Sequence, residues 1–76
     1  MENKILDFCD FYINCLERKC QVIQRLLPCN SFDNVEVLDS IEDICFRIDD
    51  IIENKIISDR KIQIRLGDTW IEYEML

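Results

Sequence analysis

The chain contains no histidine and no alanine, and it has a single glycine and a single proline. Without histidine there is no Ser–His or Cys–His dyad and no imidazole general base, which removes the commonest routes to nucleophilic and acid–base catalysis. One glycine, Gly67, leaves no glycine-rich phosphate loop. No run approaches the ~18 consecutive apolar residues of a membrane-spanning helix. The opening MENKILDFCDFYIN is charged and amphipathic, without the apolar core and small-residue cleavage site of a signal peptide. The absence of alanine beside abundant Ile, Asn, Asp and Lys is the skew of an AT-rich genome, such as a low-GC bacterium, its phages or some eukaryotic viruses.

The five cysteines are an odd number with no C-x₂-C pair, and no histidine is present to complete a zinc site. They are expected as reduced thiols of an intracellular, cytoplasmic protein, with Cys9, Cys20 and Cys45 on core stripes as small hydrophobes and Cys29 exposed in a turn. No metal and no cofactor are expected. The carboxylates of DSIEDICFRIDD lack the glycine-turned loop of a calcium site.

What the chain does have is apolar residues and acid. Hydrophobic residues make up 49% of 76 positions, enough for one compact domain over 1–76 but with little room to enclose a substrate. The net charge of −7 disfavours direct contact with nucleic-acid phosphates or anionic lipid and favours a cationic protein surface.

Periodicity predicts an α+β, mostly helical fold: two antiparallel helices, about 3–27 and 34–57, packed with a C-terminal β-hairpin at about 60–75. Ile5, Cys9, Tyr12, Leu16, Cys20, Ile23 and Leu27 recur at gaps of four and three, and Pro28 closes that run. In the second segment Val37, Leu38, Ile41, Ile44, Cys45, Ile48, Ile51, Ile52 and Ile56 form one helical stripe. Asp33 with Glu36 reads as its capping box; Ser40 with Asp43 offers a later start that would leave NVEVL extended. The earlier start is preferred because Val37 and Leu38 already lie on the stripe. RKIQIRL and TWIEYEM alternate with period two around Gly67-Asp68, a type II′ loop pairing Leu66 with Thr69, Arg65 with Trp70, Ile64 with Ile71, Gln63 with Glu72, Ile62 with Tyr73 and Lys61 with Glu74.

Function is then expected on the acidic face of the second helix. Asp39, Glu42, Asp43, Asp49, Asp50 and Glu53 are nearly all of one sign, without the Lys partners that support a merely solvated helix. Phe46 sits among them as an apolar anchor ringed by charge. The expectation is a small, acidic, non-enzymatic binding protein, an inhibitor of phage or mobile-element type. It would dock this helix on a basic, nucleic-acid-binding surface of a larger protein in the manner of a nucleic-acid mimic. The alternatives are an oligomeric or assembly component, such as a homodimer, using Phe8, Phe11, Cys15 and Val22 of the first helix, or an immunity or antitoxin protein.

Overall fold

The computed structural model describes residues 4–28 and 34–76, with helix side chains from Asp7 onward. Among these there is one α-helix, α1 (Lys4–Arg18), and a five-stranded antiparallel sheet. In α1, Phe8, Phe11 and Cys15 are buried at the i, i+3, i+7 spacing of a single core-facing stripe. The expected continuation of the helix to about residue 27 does not occur. Lys19 adopts a left-handed conformation (φ 53°), Cys20 N–H donates to Cys15 O and Lys19 N–H to Leu16 O, both at 3.2 Å. This pair of bonds is a Schellman motif with lysine where glycine is the usual occupant, and it turns the chain out of the helix.

The residues that follow therefore become β1 (Val22–Leu27) rather than helix. Alternation sends Val22 and Gln24 to the α1 side and Ile23, Arg25 and Leu27 to the other, a division that helical periodicity had obscured. β1 pairs on one side with β2 (Val35–Leu38) and on the other with β5 (Thr69–Met75). Beyond β5 lie β4 (Lys61–Leu66) and β3 (Glu53–Ser58), giving the order β2-β1-β5-β4-β3. The β4–β5 hairpin has the register read from the sequence, from Leu66↔Thr69 through to Lys61↔Glu74. Gly67 supplies the positive φ (60°) at the first loop position, as a type II′ loop requires. A lone hairpin is marginal in water. Here β1 and β3 flank it, and Ile62, Ile64, Ile71, Tyr73 and Met75 are buried beneath α1 and the segment beside it.

The second predicted helix is absent, so the protein is neither two-helical nor mostly helical. Residues 35–38 are strand, and the chain then takes the later start: Ser40 caps a short 3₁₀ turn, Ile41–Asp43, through a capping box with Asp43. A second 3₁₀ turn, Ile48–Asp50, follows an extended link, and the chain enters β3 at Glu53. The Asp33 cap lies outside the described residues. Because β2 and β3 are opposite edges of the sheet, residues 39–52 must cross its full width, and they do so as a strap beside α1.

The misleading stripe has a physical origin. Each 3₁₀ turn brings residues three apart onto one side. Ile41 and Ile44 bracket the first turn and Ile48 and Ile51 the second, so two isolated turns imitate a continuous helical face. A true helix would carry a heavy load of β-branched residues and stack Asp39, Glu42 and Asp43, and again Asp49, Asp50 and Glu53, at repulsive i, i+3 and i, i+4 spacings. The strap lets those carboxylates spread into solvent.

Candidate partner-binding surface

The strap is an apolar underside bearing an acidic top. Ile41 and Ile51 are buried, and Ile44, Phe46 and Ile48 pack against the core from partly buried positions. Asp39, Glu42, Asp43, Asp49 and Asp50 are all exposed, with Arg47 the one cation among them. Five of the seven expected partner-binding residues thus stand in solvent along one connection, on a strap rather than a helix. The other two differ. Glu53 is half-buried at the start of β3, 3.4 Å from Arg65 Nε. Phe46 is only partly exposed: its ring lies 5.8 Å from that of Phe8 and 6.1 Å from that of Tyr73, pinning the strap to helix and sheet at once.

The residues offered as an alternative oligomer interface are interior. Phe8, Phe11, Cys15 and Val22 are buried in the monomer core, Phe8 and Val22 with no exposed surface at all. These four are therefore satisfied within one chain: Phe8, Phe11 and Cys15 pack from α1 onto the sheet, and Val22 lies in β1 rather than in a helix. The four described cysteines are free thiols. Cys15, not Cys9 or Cys20, is the buried one, and burial, reinforced by nearby Cys20, pushes its thiol up to about 11. Cys45 is exposed on the strap rather than on a core stripe, and Cys29 lies outside the described residues.

No described element covers the other face of the sheet, and its charges are largely paired. Arg25 Nη1 donates to Glu72 Oε2 at 2.9 Å and to Glu74 Oε1 at 2.7 Å, and Gln63 Nε2 donates to Glu72 Oε1 at 3.1 Å. Lys61 lies 4.0 Å from Glu74, at the cross-strand position expected for that pair. Arg65 is directed to Glu53, and its Nη1 donates to Gly67 O at 3.3 Å. The hydrogen bond from Arg25 holds the Glu74 carboxyl below the usual carboxylate range, and the Lys61 charge adds to it. On the covered face the Tyr73 hydroxyl donates to Gln24 Oε1 at 2.6 Å, and burial pushes that phenol well above its ordinary value. The Arg25 network could not be anticipated while Arg25 was read as helical surface.

Negative charge is accordingly concentrated on one side. The layer of α1 and strap shows Asp10, Glu17 and the five strap carboxylates against Arg18, Lys19 and Arg47. On the open sheet face Arg25, Lys55, Lys61 and Arg65 face Glu53, Glu72 and Glu74. A shallow groove of about 210 Å³ runs where α1 meets β3, with Asp7, Asp10 and Asp59 around Phe11, Ile56 and Ile62. Sequence periodicity missed it, because it forms only when the strap delivers β3 to the edge beside α1. Among the described residues no Cys, Asp and Glu are grouped so as to hold a metal ion, and no helix is long and apolar enough to cross a membrane. Comparison of the chain with protein-family models, with curated proteins and with solved structures finds no match.

Proposed function

We propose that this protein is a non-enzymatic inhibitor that docks its acidic strap on a basic surface of a larger protein. The single observation that carries the proposal is the charge layout of residues 39–50. Carboxylates of one sign stand exposed on a connection whose underside is anchored by Ile41, Ile51 and Phe46. A loop tied down in this way presents its charges with little ordering cost on binding, which favours recognition over mere solubility. Charges on the open sheet face satisfy one another, so they offer a partner less. Carboxylates strung along an extended strap can occupy a groove built for phosphates, and a nucleic-acid-binding surface is the partner class that best fits.

The test is capture of a partner from host lysate by wild type and by the triple variant E42K/D49K/D50K. These positions are exposed, so the variant is expected to keep the wild-type circular dichroism and a stability within ~0.5 kcal/mol of it. Wild type should retain a basic partner at low salt, release it as screening rises, and block its binding to DNA or RNA. The triple variant should do none of these. Equal capture by the folded variant would sink the proposal. A captured toxin, neutralised through the same strap, would make the protein an immunity factor by the same chemistry.

A further inference from the structure

Among the described residues the sheet ends at β3, whose one strand partner is β4. Edge strands are usually blunted with charge, yet this one carries Ile56 and Ile57 at 57% and 45% exposure, preceded by Ile52 at 48%. Its blunting devices are Lys55 and an irregularity between Ile56 and Ser58, which leave the stretch from Glu53 to Ile56 regular. Beside this edge lies the groove under α1, with Phe11, Ile56 and Ile62 as an apolar floor and Asp7, Asp10 and Asp59 as an acidic rim. Among the described residues none of these three carboxylates is ion-paired.

We infer that the β3 edge and this groove bind an extended cationic segment of a partner protein, added antiparallel to β3 as a further strand. The main chain of such a segment pairs with the outer side of β3, and alternate side chains face the groove. Arginine or lysine fits best there, because the aliphatic stem lies on the apolar floor while the charged head reaches the rim. A second copy of this chain fits poorly. Two-fold pairing of β3 with β3 would set the acidic flanks of two α1 helices side by side, on molecules that each carry a charge of −7. This site is separate from the strap and stands whether or not the strap proposal holds.

The experiment uses a fluorescein-labelled peptide of alternating arginine and threonine, read by anisotropy, with hydrogen exchange on the complex. Wild type should bind it, and the amides of residues 53–56 should gain protection. D7N/D10N and I56K, all at positions whose change leaves the buried core intact, should each weaken binding about tenfold, while D50K on the strap stays within about twofold. The same peptide N-methylated at every main-chain nitrogen keeps its charge but lacks backbone donors, and should bind at least about tenfold more weakly. The inference is overturned if the peptide does not bind at about millimolar concentration, if D50K weakens binding as much as D7N/D10N, or if the N-methylated peptide binds equally well. It is also overturned if free wild type sediments as a dimer with β3 already protected.

Discussion

Replacing Phe46 by alanine separates the two roles that this ring can have. A fully buried Phe→Ala change costs ~3–5 kcal/mol. Phe46 is half-buried, which brings the packing loss to ~1.5–2.5 kcal/mol, and the ring pairs with Phe8 and Tyr73 raise the sum to ~2–3 kcal/mol. A chain of 76 residues is stable by only ~4–11 kcal/mol in total, so this is a large fraction. For a domain of this size the melting temperature should fall by ~10–20 °C. In urea, with a slope of ~1 kcal/mol per molar, the midpoint should drop by ~2–3 M. Phe46→Leu keeps apolar volume and loses the ring pairs, so it should cost ~1 kcal/mol. The strap should loosen first, seen as faster hydrogen exchange at the Ile44 and Ile51 amides that close its two 3₁₀ turns. A Phe46→Ala variant whose stability stays within ~0.5 kcal/mol of wild type but which loses its partner would refute the reasoning and restore the ring as a surface anchor.

Two further changes probe the frame. Lys19→Gly should stabilise the fold by ~0.5–1 kcal/mol, because glycine adopts the left-handed φ of 53° without the steric cost a lysine bears there; an unchanged or lower urea midpoint would contradict that origin. Glu74→Gln tests the Arg25 network through pH. The folded carboxyl titrates below its unfolded range, so the stability it lends is present above that range and is lost as pH falls through the depressed value. Wild type should therefore exceed the variant at neutral pH, and the gap should close as pH drops below about 4. Urea midpoints across that range measure it, and a gap independent of pH would exclude linkage through this carboxyl.

The hairpin was legible because each of its determinants is local. Period-two alternation assigns the faces, and one glycine at the first loop position fixes the register of every pair from Leu66–Thr69 to Lys61–Glu74. The existence of α1 was legible for the same reason, its apolar residues repeating within a single helix, although the face it buries is that of Phe8, Phe11 and Cys15 rather than the stripe of Cys9, Tyr12 and Leu16. The end of that helix was not, since lysine at the left-handed position gives none of the signal that glycine would. Nor was the middle of the chain, where isoleucines at gaps of three and four satisfy a helix and a pair of 3₁₀ turns equally well. The Ser40–Asp43 box was visible as the alternative start, and it is the one the structure uses.

For the candidate site the division is similar. Asp39, Glu42, Asp43, Asp49 and Asp50 were found as an acidic run and are exposed. Phe46 was read as surface and lies half-buried, and Phe8, Phe11, Cys15 and Val22, offered as an alternative oligomer face, lie inside. Composition and alternation determined by themselves that the chain is acidic, has an apolar core, and ends in a hairpin of defined register. Only the tertiary structure decided what flanks that hairpin. Once β1 and β3 take its two edges, residues 39–52 must bridge opposite sides of the sheet. The width of the sheet draws them out into a strap, fixing Phe46 inward and the carboxylates outward. That requirement is non-local, and no window of sequence contains it.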